Sequence, residues 1–331
     1  KSLSRDQSIK KNKRIKIEND FINGSILLKG GILDDISFKK HKKKIENNDS
    51  VVFLNPKDTK DGYFVETGWT SVGNKVAVPN FESSWKVIGN TKLSTNNPVI
   101  LEWKNNGGII FRKKIEIDQK YLFNITQEVQ NNSSKSIDLY PYAQITRNKV
   151  PDDIQNFYIS HEGFIGVFDE ELKEDDYDDI KDKKIVREAN NGWFGITDKY
   201  WVTAIVPESG ENFKSTFLYK NAYKANYILN KPKTIAASKT NTNAIQLFVA
   251  AKEVQTIDAY AEDKNIEKFD LVIDWGWFYF FTKPLFFVID YLFKLSGNFG
   301  IAIVLITLSI RLMFFPLANY SFRSMAKMKA L

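Results

Sequence analysis

Arg311 is the residue with the most chemistry to offer, because it is the one charge in the nineteen-residue run Phe299 to Leu317. A charge held in hydrocarbon costs roughly 2.5 to 3.5 kcal/mol on insertion scales, so it must face protein, a water-filled cavity or the headgroups. Two readings stand. Arg311 lies six residues, about 9 Å, before Leu317, close enough for its long side chain to snorkel to the membrane surface. Thr307, four residues earlier on the same helical face, adds a second polar group and favours a polar cavity. A second constellation is Lys283, Asp290 and Lys294, whose offsets of seven and eleven residues place them within roughly 40° of one another around a helix. They form one charged stripe on a Leu, Phe and Tyr surface.

Other candidates offer less. The chain has no cysteine, which removes disulfides, thiolate zinc centres and a cysteine nucleophile. Its two histidines are His41, inside the run Lys39, Lys40, Lys42, Lys43 and Lys44, and His161, beside Glu162. A histidine and a carboxylate sharing a cleft would suit acid–base chemistry on a sugar, but both settings read as surface. Residues 169 to 182 hold nine acids and two lysines. Their spacing does not match an EF-hand and no glycine turn interrupts them, so a solvated acidic loop is expected and no metal or other cofactor.

The elements that would position these residues follow from periodicity. Phe299 to Leu317 spans close to 30 Å as a helix, the thickness of a bilayer's hydrocarbon core, and is expected to be a transmembrane helix. Residues 275–296 open on the aromatic cluster Trp275-Gly276-Trp277-Phe278-Tyr279-Phe280-Phe281. An apolar helix here suits a protein core or the lipid interface, and its place beside a span favours the interface. Pro284 is then read as a first-turn proline. Upstream the pattern is period-2. Short apolar alternations recur at Ile15 to Ile17, Val51 to Leu54, Tyr63 to Trp69, Val99 to Trp103, Ile109 to Ile117, Tyr121 to Val129, Ile137 to Thr146, Trp193 to Ile196, Tyr200 to Val206, Lys214 to Ala222 and Ala244 to Ala251. Turn signals such as Asn23-Gly24, Gly30-Gly31 and Asn105-Asn106-Gly107-Gly108 separate them. Ten or more strands without a long helical period argue for an antiparallel, mainly β sandwich.

The expected organisation is a flexible basic lead-in (1–13), a β-sandwich (14–257), a helical connector (258–274), an interfacial amphipathic helix (275–296), a transmembrane helix (297–318) and the start of a cytoplasmic loop (319–331). Net charge supports it. The total of +7 divides into +7 for residues 1–60, −4 for 61–310 and +4 for 311–331, so the body is mildly acidic and the ends are basic. That distribution suits tethering to an anionic surface more than binding DNA. The flank after the span (Arg323, Lys327, Lys329) is purely basic, which places it in the cytoplasm and the β domain outside, in a bacterium the periplasm.

Asp270-Leu271-Val272-Ile273-Asp274-Trp275-Gly276-Trp277, Lys283-Pro284-Leu285-Phe286, Gly297-Asn298-Phe299-Gly300, Arg311, Phe315-Pro316-Leu317 and Ser324-Met325-Ala326-Lys327-Met328 together resemble the YidC family of bacterial membrane protein insertases. Tyr63 to Trp69, Gly163 to Phe168, Gly192-Trp193 and Tyr200 to Pro207 are similar to its periplasmic domain. The resemblance implies a periplasmic super-β-sandwich shaped like sugar mutarotase domains, in the inner membrane of a bacterium. It implies a protein that accepts hydrophobic segments of nascent membrane proteins and releases them into the bilayer, alone or beside the Sec translocon and its accessory subunits. Nucleic acid would be met only through the ribosome. Arg311, with Thr307, would face a hydrophilic groove open to cytoplasm and lipid. No bond is made or broken, so no enzyme reaction is expected. Family members begin with an N-terminal span and carry further spans after this one, so the chain is expected to be a fragment. Two other classes stand beside this one: a membrane-anchored periplasmic binding or scaffold domain contacting Sec accessory subunits, and, with less support, a carbohydrate-active enzyme.

Overall fold

Alternating burial builds the larger part of the molecule. In Ile109–Ile117 the inward residues Ile109, Phe111, Ile115 and Ile117 are buried, and Tyr223–Leu229 shows the same period, as expected of pleated strands with one face on a core. The computed structural model describes residues 2–43, 48–152, 154 and 160–329. Two compact units divide it, Lys1–Ile273 and Asp274–Leu331.

The first unit is a sandwich of two sheets. One has eleven strands, running through Ile185–Ala189, Phe213–Tyr219, Tyr223–Leu229, Ile137–Arg147, Tyr63–Ser71, Ile32–Lys42, Ile22–Leu27, Arg14–Glu18 and Lys92–Leu93, with Lys233–Ile235 and Ser50–Leu54 attached to it. The other has nine, in the order Glu171–Asp175, Gly163–Phe168, Gly192–Thr197, Trp201–Pro207, Lys239–Ala251, Leu122–Asn131, Ile109–Ile117, Val99–Lys104 and Lys86–Ile88. A single large cluster of buried side chains, among them Phe38, Phe111, Tyr121, Phe194 and Phe248, draws on both sheets.

Three expectations are corrected here. The lead-in forms a helix, α1 (Arg5–Lys11), closed by a capping box in which Ser4 and Gln7 satisfy each other's backbone N–H. The Ser-x-x-Gln signature for it stands in the sequence, and Arg5 ties the helix down by pairing with Asp35. The acidic stretch is not a loop. Asp169 and Glu170, both at positive φ, make a two-residue turn between Gly163–Phe168 and Glu171–Asp175, and α2 (Tyr177–Asp182) follows with Tyr177 and Ile180 buried. Third, the connector belongs to the sandwich. The helix α3 (Val254–Asp263) and the 3-10 turn Phe269–Val272 bury Ile257, Tyr260, Ile266, Phe269 and Val272. Phe269 packs its ring on Trp193 and Phe248 at 5.3 and 4.5 Å. This cover explains why every residue of Gly163–Phe168 and Gly192–Thr197 is buried, since a sheet covered on both faces has no solvent side.

The second unit is a helical hairpin of α4 (Tyr279–Ser296) and α5 (Phe299–Lys329). The first turn of α4 forms over the aromatic cluster, where the Phe278 carbonyl accepts from both Phe281 and Thr282 N–H at 2.8 Å. Pro284 is therefore interior and not in the first turn, and its ring takes the place of the N–H that would bond the Phe280 carbonyl. Gly297 ends α4 in the left-handed region (φ 68°) and donates to the Phe293 carbonyl at 2.8 Å. Asn298 then caps α5, its Oδ1 accepting from the N–H of Gly300 and Ile301 at 2.8 and 3.2 Å. α5 runs on through the residues expected to begin a loop, because nothing from Ala318 to Lys329 is a glycine or proline that would stop it.

Candidate functional site

Phe299–Met325, the apolar part of α5, has 27 residues, and its most apolar 18-residue stretch has a mean hydropathy of 2.3 and is almost wholly exposed. At about 1.5 Å per residue it is some 40 Å long, enough to cross hydrocarbon and reach into a headgroup layer. Two of its hydroxyls are satisfied within the helix: Thr307 Oγ1 donates to the Ile303 carbonyl at 2.7 Å and Ser309 Oγ to the Leu305 carbonyl at 2.9 Å. Arg311 differs. It is exposed and makes no hydrogen bond or ion pair among the described residues. Its guanidinium presents up to five N–H donors that cannot be neutralised by deprotonation. One turn away, Thr307 has spent its proton and keeps lone pairs to accept with. The free N–H donors of the guanidinium suit a carboxylate or a carbonyl-rich segment entering an apolar setting. There a charge pair 4 Å apart is worth about 4 kcal/mol at an effective dielectric of 20.

The stripe on α4 divides. Lys294 and Asp290 form an i,i+4 ion pair at 2.7 Å, whereas Lys283 lies over the rings of Trp275 and Tyr279 at 5.8 and 5.6 Å. No residue of α4 is buried, which suits a helix lying in an interface. Arg323 is exposed on α5, twelve residues beyond Arg311, and the side chains of Lys327 and Lys329 lie outside the described residues, as does Lys44.

Neither histidine is a free surface group. His41 Nε2 sits 3.2 Å from Glu253 Oε1 and 3.4 Å from the Tyr121 hydroxyl, at the start of α3. His161 Nε2 is 2.9 Å from the Phe164 carbonyl and Nδ1 is 3.5 Å from Asp176. Each fastens a helix end or a turn to the sandwich. The buried charges of this unit are fastened too. Arg147 pairs with Asp198 at 2.5 Å, meets the Tyr177 hydroxyl at 3.2 Å and lies over the Tyr63 ring. Burial drives the phenols of Tyr63 and Tyr177 well above the ordinary range. Lys113, 2% exposed, reaches from the second sheet to the Thr67 carbonyl in the first and to the Gly31 carbonyl in the turn before Ile32–Lys42, and burial pushes its ammonium down to about 8. Sequence reading passed over Lys113, yet the alternation of Ile109, Phe111, Ile115 and Ile117 already marked it as inward-facing.

The family model described as the YidC periplasmic domain matches residues 14–288. The chain is 50% identical to "Membrane protein insertase YidC" of Pelagibacter ubique over 99% of its length and 59% of that protein's. It is 41% identical to the protein of the same name in Rickettsia bellii, over 96% of this chain and 58% of that one. The chain therefore spans a little over half the length of these curated relatives. A galactose mutarotase related enzyme from Lactobacillus acidophilus shares the fold at a TM-score of 0.51 and 11% identity, over 72% of this chain and 97% of that one. At that identity the likeness concerns the sandwich alone. Across residues 14–288, from the sheets into α4, the chain belongs to the family of the YidC periplasmic domain.

Proposed function

We propose that this chain is part of a membrane protein insertase, seated in a bacterial inner membrane with its sandwich in the periplasm. It accepts hydrophobic segments of nascent membrane proteins and passes them laterally to lipid, alone or beside the Sec translocon. The observation that carries the reading is Arg311, a cation without a partner among the described residues on an exposed helix long enough to cross a bilayer. The names of the relatives and the match across the periplasmic domain support it. Arg311 and Thr307 are the contact residues in this scheme. The guanidinium attracts acidic groups of a short translocated tail, lowering the cost of bringing them into the membrane. Lys283, Asp290 and Lys294 hold α4 at the interface, and Arg323, Lys327 and Lys329 anchor the cytoplasmic side. The work is transfer, with no bond made or broken.

The test is complementation of an insertase-depleted strain with the full-length parent protein carrying Arg311→Ala. Insertion of substrates with acidic translocated tails is expected to fall, with rescue by Arg311→Lys. Undiminished insertion of every such substrate overturns the role of Arg311.

A further inference from the structure

Residues 39–43, the described part of the lysine run, close the strand Ile32–Lys42 at one rim of the sandwich. Contacts tie the neighbouring turns to it. The Lys39 N–H and Nζ donate to the Phe21 and Asn19 carbonyls at 2.8 and 2.9 Å. Asn19 Nδ2 donates to the carbonyls of Asp118 and Lys120 at 2.9 and 3.0 Å. His41 reaches Glu253 at 3.2 Å and the Trp201 ring at 5.1 Å. This rim carries seven lysines (39, 40, 42, 43, 120, 199 and 252) against four acids (Asp20, Asp49, Asp118 and Glu253), a net +3. Asp198, beside Lys199, is balanced by Arg147.

The two signs face different ways. Asp118 accepts from the Tyr260 hydroxyl at 2.6 Å, and Glu253 accepts from the Tyr121 and Thr256 hydroxyls at 3.1 and 3.0 Å, so both are engaged with the fold. Lys40, Lys42, Lys43 and Lys199 are exposed, and none pairs with a carboxylate among the described residues. Lys104, Lys114 and Lys214, exposed on strands elsewhere, each hold a glutamate. Aromatic rings stand among the rim lysines. Lys40 Nζ is 3.5 Å and Lys120 Nζ 5.8 Å from the centre of the half-buried Phe21 ring, and Lys199 lies over Tyr200, which is 59% exposed.

Charge alone would suit an acidic protein equally well. Two observations favour lipid. Lysines around an exposed tyrosine fit a boundary between phosphates and an apolar layer. The sandwich is also covalently joined to a helix long enough to cross a bilayer, which keeps a lipid surface at high effective concentration. We propose that this rim docks the sandwich on the headgroups of an anionic bilayer. The docking uses the membrane seat proposed above and no part of the insertion scheme, so either can fail without the other.

The test is lysine footprinting by acetylation and mass spectrometry, with the whole chain in nanodiscs of phosphatidylcholine, alone or mixed with phosphatidylglycerol. Lys40, Lys42, Lys43 and Lys199 are expected to react about three- to tenfold more slowly in the anionic discs. Lys231 and Lys239, exposed at the opposite end of the strands, should react alike in both. The difference should vanish in molar salt, where the screening length falls to about 3 Å. Lys40→Gln, Lys42→Gln and Lys43→Gln together should return Lys199 to its rate in neutral discs, with an unchanged circular-dichroism melt showing that the fold survives. Equal rates in the two lipids overturn the proposal. So does slowing that Lys231 and Lys239 share, that survives molar salt, or that persists at Lys199 in the triple variant. Slowing by added poly-L-glutamate in neutral discs, with no effect of phosphatidylglycerol, would assign the rim to an acidic protein and overturn it as well.

Discussion

The sandwich and the helical hairpin treat a cation set among apolar residues in opposite ways. In the sandwich, Arg147 meets Asp198, the Tyr177 hydroxyl and the Tyr63 face, and Lys113 meets two carbonyls and an indole. On α5, Arg311 meets nothing among the described residues and shares its face with a threonine already bonded to its own helix. A charge removed from water and fully paired gives geometry to a fold, whereas a charge placed in an apolar setting without a partner is costly unless its partner arrives from elsewhere. The first kind of residue should be read for stability and the second for function.

The largest expected effect sharpens this division inside the sandwich. Arg147→Met should destabilise the first unit by about 3 kcal/mol, because it leaves the largely buried Asp198 carboxylate without its partner, and denaturant titration followed by circular dichroism measures it. Lys113 should reveal itself through pH. Its folded pKa is depressed to about 8 from 10.5, so the folded state binds fewer protons than the unfolded one between these values. Stability should rise with pH across that window and be lost as pH falls through about 8. The difference from Lys113→Met should change by about 3 kcal/mol between pH 8 and 10.5. A flat difference would mean that the ammonium stays charged and well solvated by its carbonyls.

Ser4→Ala tests whether α1 belongs to the sandwich or merely rests on it. Loss of the capping box should cost about 1 kcal/mol if the helix is part of the cooperative unit, read as a shifted midpoint at unchanged slope. The smallest effect is the sharpest contrast with Arg147. Arg311→Ala should leave the midpoint of the sandwich within about 0.5 kcal/mol of the parent while insertion falls. A midpoint shifted as far as that of Arg147→Met would erase the distinction between the two regions.

Much of the fold was legible as pattern. Ile109–Ile117 alternates in sequence and in burial alike, and the apolar run after Phe299 became the long helix that TM-length arithmetic requires. The parts that escaped were short or polar. Glu171–Asp175 reads as an acidic run because Leu172 is its only apolar residue, and it becomes a strand by pairing with Gly163–Phe168, whose pattern is strong. α1 escaped for a different reason: seven residues give too little period to detect, and its capping box was the available signal. At the candidate site, Arg311 and Thr307 were found because an isolated charge in an apolar run needs no tertiary information to be noticed.

The sequence by itself determined the two backbone periods, the turn between α4 and α5, the place of the lone arginine and the inward direction of Lys113, all consequences of neighbours within a few residues. Tertiary structure alone decided the partners. His41 finds Glu253 across 212 positions, Arg147 finds Asp198 across 51, and Lys113 crosses from its sheet to a carbonyl 82 residues away. Periodicity states which face a side chain takes. Which group waits there depends on sheet order and register, and these are set by the burial of the whole core at once.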